Sequence, residues 1–302
     1  MDFVITIVSN PTKVSVDKAL INGVVRRIEA NGGKLLSQTT LSENEAIDLF
    51  FSNVDKATLD DVLGRQFLNL PIDYFCAELD PDIPRKKKML VADMDSTILT
   101  VECIDEIADV LGIKDKVAAI TEAAMRGELD FSSSLIERVA LLKGLPAEKL
   151  DHVYKTRILL TEGAKTLVAT MNANGASTHL LSGGFTYFSE KIAAELGFSQ
   201  NVANVLEIEN DILTGRVLPP IFDASSKQEH LIKAREAGGL NIADVLAVGD
   251  GANDIPMILE AGLGVAFMAK PKTAAKATAQ INHTSLETLL FYQGYKRAEF
   301  AS

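Results

Sequence analysis

From residue 89 onward, short apolar runs alternate with long stretches of helical spacing, and nothing else in the chain restricts the fold as strongly. Strand-like runs stand at 89–93, about 177–182 (STHLLS) and 244–249 (DVLAVG), with a weaker one at 264–268 (GVAFM). Apolar runs of this length separated by helices predict a doubly wound parallel sheet with helices on both faces, an α/β fold. Between the first two runs, residues 104 to about 160 carry apolar residues at helical spacing, among them Ile107, Val110, Val117, Leu135 and Val139. That connection exceeds one crossover helix, so it predicts a small helical cap inserted over the edge of the sheet.

The first part of the chain has another rhythm. An apolar β-branched run at 3–8 (FVITIV) precedes helical spacing over 15–31, which Asn31-Gly32-Gly33 stops. Strand-like runs follow at 34–41 and 45–51, then a helical stretch at 55–65 and a last strand at 71–77. This β-α-β-β-α-β order predicts a ferredoxin-like α+β domain. Asp80-Pro81-Asp82-Ile83-Pro84 and the basic run Arg85-Lys86-Lys87-Lys88 read as a polar, solvated linker. The expected division is therefore 1–80, a linker at 81–88, and 89–302.

A net charge of -11 argues against non-specific binding of nucleic acid or anionic membranes, since both need a positive field. An anionic substrate would need locally placed cations. No run of about 18 apolar residues occurs, and the opening MDFVITIVSN lacks a basic leader, so a soluble, unprocessed chain is expected. Cys76 and Cys103 fit neither a disulfide framework nor a zinc site, which points to a reduced, cytoplasmic setting. His152, His179, His230 and His283 lack the i, i+4 pairing of a metal-binding helix.

The chemistry sits where strands end. In "LVADMDSTIL" the apolar run gives way to Asp93 and Asp95, two carboxylates on one side of a strand end, where an open parallel sheet binds ligands. Close carboxylates repel unless a cation or shared proton intervenes. "LLSGGF" puts Ser182 past another strand, with Gly183 and Gly184 allowing main-chain N–H groups to approach an anion. "VGDGANDIPM" supplies Asp250, Asn253 and Asp254, and Lys227 lies near the start of a helix in "DASSKQEHL". Each element alone also fits a helix cap, a turn or a helix start. Together they bring carboxylates, a hydroxyl, amides and a lysine to loops facing one crevice.

The segments D-M-D-S-T, S-G-G, the lone lysine and G-D-G-A-N-D resemble, in order, the four motifs of the haloacid dehalogenase superfamily. That resemblance implies a magnesium-dependent phosphatase working through an aspartyl-phosphate. Asp93 would be the nucleophile and Asp95 the general acid and base. Ser182, the Gly183 amide, Asn253 and Lys227 would hold the phosphoryl oxygens. Mg²⁺ would be held by Asp93, Asp250 and the Asp95 main-chain carbonyl, with Asp254 behind them orienting Lys227 or a metal-bound water. Such a division of labour suits phosphate esters, whose uncatalysed hydrolysis is too slow for any single catalytic effect to rescue.

The segments "DMDSTILTVECIDEIAD" and "MRGELDFSSSLIERVALLKGLP" further resemble the phosphoserine phosphatases, a likeness running from about 89 to 290. It implies that Glu102 meets the substrate ammonium, that Arg138 meets its carboxylate, and that Met125 and Phe131 make apolar cap contacts. It also implies the last step of serine biosynthesis. Taken alone, Glu102 fits an acid at a helix N-terminus and Arg138 an intrahelical partner of Ser134. Cys103 reads as packing. The first 80 residues resemble an ACT-type domain but carry Asn10-Pro11-Thr12-Lys13 where ligand-binding members have an acidic-basic-Pro-Gly turn, so pairing into a homodimer is expected ahead of serine binding. A phosphatase or phosphotransferase acting on another small phosphomonoester would use the same residues. A phospho-accepting receiver module would need neither Asp95 nor the helical insertion, and a disabled sensor would not keep the whole catalytic set.

Overall fold

The computed structural model describes residues 1–125 and 128–301, apart from the Met125 side chain. The first part follows the expected order: β1 (Asp2–Ser9), α1 (Lys18–Glu29), β2 (Lys34–Ser42), β3 (Ala46–Ser52), α2 (Lys56–Phe67) and β4 (Ile72–Glu78). The strands form an antiparallel sheet in the order β2-β3-β1-β4. Asp17 and Asp55 start the two helices by accepting the N–H groups of Leu20 and Thr58, which would otherwise lack partners. Val24, Ile28, Leu59 and Leu63 of those helices bury against Phe3, Ile5 and Ile7 of the sheet.

The second part begins with β5 (Met89–Ala92) and a wide turn at Met94–Ile98. Four helices follow as the insertion: α3 (Cys103–Val110), α4 (Lys114–Met125), α5 (Phe131–Ala140) and α6 (Glu148–Arg157). The chain continues through α7 (Ala164–Ala173), β6 (Ser177–Phe185), α8 (Thr186–Leu196), β7 (Gln200–Glu209), β8 (Ile212–Leu218) and α9 (Ala224–Ala237). It ends with β9 (Val245–Gly249), α10 (Ile255–Glu260), β10 (Leu263–Phe267), α11 (Pro271–Ala274), β11 (Ala279–Ile281) and α12 (Thr288–Tyr292). The sheet order is β11-β10-β9-β5-β6-β7-β8, parallel except for β8. From the central β5 the chain moves first to β6 on one side and later to β9 on the other. This switch point opens a crevice at the carboxyl ends of those strands.

Three features differ from the sequence expectation. Residues 200–218 form the β7–β8 hairpin, whose turn residues Asn210 and Asp211 both have positive φ (50° and 62°), the geometry of a tight two-residue turn. The three-residue β11 closes the far edge. The basic run is solvated only in part, at Lys86 and Lys88. Arg85 reaches the sheet formed by β1–β4, pairing with the buried Asp48 at 2.7 Å and donating to Thr6 Oγ1. Lys87 is buried, its ammonium donating to the carbonyls of Pro84 and Ala243. Lys86 and Lys88 pair with Glu299 and Asp244. The physical reason is that β1 is buried on both faces: opposite its helices it packs toward α12, and Asp48 on that side needs a cation.

A second tie joins the two sheets. The Asp73 carboxylate on β4 accepts the main-chain N–H groups of Asn282, His283 and Thr284, just after β11. Phe75 lies against Tyr292, ring centroids 5.3 Å apart.

Candidate active site

A cavity of about 300 Å³ opens at the carboxyl ends of β5, β6, β9 and β10, beneath the helical insertion. A roomier cavity of about 450 Å³, between α2, β4 and the segment before β11, gathers no comparable set of convergent acids and cations. Chemistry belongs to the smaller one.

Strand β5 ends at Ala92, so Asp93 and Asp95 stand on the turn beyond it. The Asp93 N–H donates to Val248 of β9, extending the ladder by one residue, and its carboxylate accepts the Met94 N–H at 2.7 Å. Ser96 takes a left-handed conformation (φ 55°), which bends the chain so that the Asp95 carboxylate returns to the same cavity. The Cys103 N–H at the start of α3 donates to Asp95 Oδ1 at 3.0 Å, and Ser182 Oγ approaches Oδ2 at 3.4 Å. A side chain at position 184 would put its Cβ 2.6 Å from that Oδ2, so only glycine fits.

Lys227, in the first turn of α9, is 1% exposed. Its Nζ lies 2.6 Å from Asp93 Oδ1 and 2.7 Å from Asp254 Oδ1. The other Asp254 oxygen accepts the Gly251 N–H, and a Cβ at Gly249 would collide with that carboxylate at 2.5 Å. Asp254 therefore has both oxygens committed and holds Lys227 from behind. One carboxylate oxygen each from Asp93, Asp250 and Asp254 lies within 4.8 Å of the others, the only such acidic group among the described residues.

The electrostatics follow from this crowding. Burial, then Glu102, pushes the Asp95 carboxyl up to about 7, with the Cys103 N–H pulling back. Burial, then Asp254 and Glu102, raises Asp250 to about 6. Burial and Asp254 also push Asp93 upward against the pull of Lys227. Burial alone would strip Lys227 of its proton, but Asp254 and Asp93 outweigh it and keep the ammonium charged. Cys103 is held well above its usual range by burial and Asp95, which leaves an inert thiol.

At the cavity's other end stand residues of the insertion. Glu102 is exposed and accepts the Ser96 hydroxyl at 2.7 Å, while Arg138 on α5 is half-buried, its Nε donating to the Ser134 carbonyl. That bond leaves the two Nη groups of the guanidinium available. Both residues line the cavity, as do Phe131, Gly183 and Asn253. Phe131 lies so close over Gly183 that a Cβ there would be 3.1 Å from its ring. The Met125 side chain lies outside the described residues.

The structure thus brings Asp93, Asp95, Glu102, Phe131, Arg138, Gly183, Asn253 and Asp250 to one cavity, with Ser182, Lys227 and Asp254 directly behind its wall. Sequence reasoning missed Asp105 and Lys270, which also line it. Asp105 lies one helical turn after Glu102, a spacing that puts both on one face. Lys270 follows strand β10, and only the pairing of β10 with β9 brings it to the site.

The family model for haloacid dehalogenase-like hydrolases matches residues 90–259. The chain belongs to the haloacid dehalogenase-like hydrolase family. Within it, a protein from Polaromonas sp. named phosphoserine phosphatase is 46% identical over 208 residues, covering 67% of this chain and 88% of that protein. Among solved structures, a HAD family hydrolase from Salmonella enterica serovar Typhi has a TM-score of 0.83 at 28% identity, covering 96% of this chain and 98% of that one. A probable phosphoserine phosphatase from Vibrio cholerae, unliganded, has a TM-score of 0.79 at 32% identity, covering 99% of this chain and 88% of that one. The likeness to these two structures spans the antiparallel N-terminal sheet as well as the hydrolase fold. Among the described residues, no helix is long and apolar enough to cross a membrane.

Proposed function

We propose that this chain hydrolyses O-phospho-L-serine to L-serine and phosphate, the step that ends serine biosynthesis. The observation that carries the reading is a cavity with Asp93 at its floor, one carboxylate (Glu102) at the entry to the insertion and one guanidinium (Arg138) on it. A small zwitterion attached to a phosphate needs that complement: a carboxylate for its ammonium, a planar fork of donors for its carboxylate. The similar proteins named phosphoserine phosphatase support the same substrate.

In this reading Asp93 attacks phosphorus while the bond to the serine oxygen breaks, and Asp95 gives its proton to the departing alkoxide. Asp95, now ionised, takes a proton from water, which attacks phosphorus in turn and breaks the bond to Asp93. A carboxyl near 7 can serve in both directions at neutral pH. Lys227, held by Asp254, and the Ser182 hydroxyl with the Gly183 amide bear on the phosphoryl oxygens, and Asn253 adds a donor at the rim. The helical insertion over the site excludes water and limits substrate size. The all-oxygen donor set suits a hard divalent cation: Asp93, Asp250 and the Asp95 carbonyl would hold Mg²⁺, which supplies charge neutralisation between nucleophile and phosphate. We assign the protein to the cytoplasm, which fits two free, buried cysteines, and residues 1–80 to an ACT-like unit pairing two copies. Sedimentation of the full chain tests that pairing, and a monomer removes it.

The test is phosphate release from L-phosphoserine, phosphoethanolamine and p-nitrophenyl phosphate, with Mg²⁺ and with EDTA. A magnesium-dependent preference for phosphoserine is expected. Equal rates on all three would keep the phosphatase and discard the substrate.

A further inference from the structure

Lys270 comes to the cavity from β10, a strand that supplies none of the groups used above. Its N–H donates to the Asp250 carbonyl at 3.2 Å, and its side chain joins Asp250 and Asn253 in the cavity lining. Two backbone features fix this placement. Met268, directly after β10, has φ 44°, a left-handed conformation uncommon for a residue bearing a side chain. Such a conformation persists where the surroundings impose it. Pro271 then confines Lys270 to extended backbone (φ -63°, ψ 149°). The chain is folded back across the end of its strand, and Lys270 is carried to the mouth of the site.

The charges around it give this placement a purpose. Asp93, Asp95, Glu102, Asp105 and Asp250 line the cavity, against which stand Arg138 and Lys270. Lys227 is sealed beneath Asp93, and Arg138 is tied to its own helix. Lys270 is exposed, and its charge bears on Asp250, pulling that carboxyl down against burial. A chain of net charge -11 repels a phosphate dianion at long range, so a cation at the mouth decides how readily the dianion enters and leaves.

We propose that Lys270 captures the phosphate group at the mouth of the cavity and holds inorganic phosphate during its exit. The proposal rests on the phosphomonoesterase reading and adds to it a residue specific for the phosphate, whichever alcohol carries it. A lysine suits the task, being a compact, hydrated charge on a flexible stem that binds and lets go without fixed geometry.

The experiment uses Lys270→Met and Lys270→Arg in the full chain, with near-ultraviolet circular dichroism to verify the fold. Orthophosphate binding is measured by titration calorimetry in the presence of Mg²⁺. In parallel, kcat/KM for L-phosphoserine and p-nitrophenyl phosphate is followed between about 0.02 and 0.3 M salt, across which screening shortens several-fold. Lys270→Met should weaken orthophosphate about tenfold and lower kcat/KM equally for both esters at low salt, the loss lying in KM, with a flatter salt dependence. Lys270→Arg should keep most of both. Unchanged phosphate affinity and salt slope would overturn the proposal. So would a loss confined to phosphoserine, which would put Lys270 on the carboxylate, or a loss carried by kcat, which would put it in the chemistry. Were the wild type to hydrolyse neither ester yet bind orthophosphate through Lys270, the activity reading would fall and the capture role would stand.

Discussion

At the floor of the cavity Asp93, Lys227, Ser182 and Asp254 are each less than a twentieth exposed and each is bonded to another catalytic group or its neighbour. At the cap end Glu102 is exposed and Arg138 half-buried, and their bonds run to Ser96 and to a helix carbonyl. The floor is made of strand ends held by a seven-stranded sheet, with Lys227 from the start of α9; the cap end is made of the inserted helices and Glu102 at their entry. Groups that must meet a reacting phosphorus atom need fixed positions, because small misplacements of catalytic groups are costly. Groups that only choose the alcohol can be carried by a separate set of helices. On the function proposed above, the reaction common to the family and the selectivity for one alcohol would occupy separate pieces of the fold.

Substitutions can break this division. Asp93→Asn should have the largest effect, lowering kcat by more than about 10³-fold on phosphoserine and p-nitrophenyl phosphate alike, with an unchanged circular dichroism spectrum. Residual turnover above a tenth would remove Asp93 from the nucleophile role. Arg138→Ala should come next, costing about 10²-fold in kcat/KM on phosphoserine, in line with losing a charge-assisted pair, and only a few-fold on the aryl phosphate.

The acidity of the floor gives a third expectation. Asp95 and Asp250 hold their protons up to about 7 and about 6 in the metal-free fold, against an ordinary carboxylate value of 3.8. The folded state then binds more protons than the unfolded one, so their contribution to stability is present at acid pH and is lost as pH rises through those values. The buried His179, pushed down to about 4, and His230 act oppositely, but only below their ordinary value of 6.5. Thermal melts in EDTA should therefore show Tm falling between about pH 6.5 and 7.5 as Asp95 ionises, and levelling above that. Mg²⁺ should raise Tm most at the alkaline end, and a flat difference would contradict the placement of a cation among these acids. The smallest effect on turnover belongs to Arg85→Met. It should cost about 3 kcal/mol of stability by leaving Asp48 buried without its cation, while kcat on both esters stays level.

Much of the floor was legible in the sequence because Asp93, Asp95, Ser182 and Asp250 sit within a few residues of the end of an apolar run, and a parallel sheet sends such positions to one crevice. Glu102 and Arg138 were readable only by resemblance, since an acid at a helix start and an arginine within a helix have ordinary uses. Lys270 escaped because nothing local distinguishes it; only the placement of β10 beside β9 carries it to the site. The β7–β8 hairpin escaped for another reason. Its strands lie at the sheet edge, half exposed, so neither shows the continuous apolar run of a central strand, and the Asn210-Asp211 pair was the sole turn signal. Arg85 and Lys87 looked like solvent-facing charges because their partners, Asp48 and the Ala243 carbonyl, lie far away along the chain.

The division between floor and cap is tested most directly by kcat/KM for phosphoserine relative to p-nitrophenyl phosphate in Lys227→Met and Arg138→Ala, side by side with the wild type. Lys227→Met should lower both substrates together and leave the ratio unchanged, whereas Arg138→Ala should collapse the ratio by more than tenfold. Equal losses on the two substrates from Arg138→Ala would contradict the division and make the cap part of the chemistry.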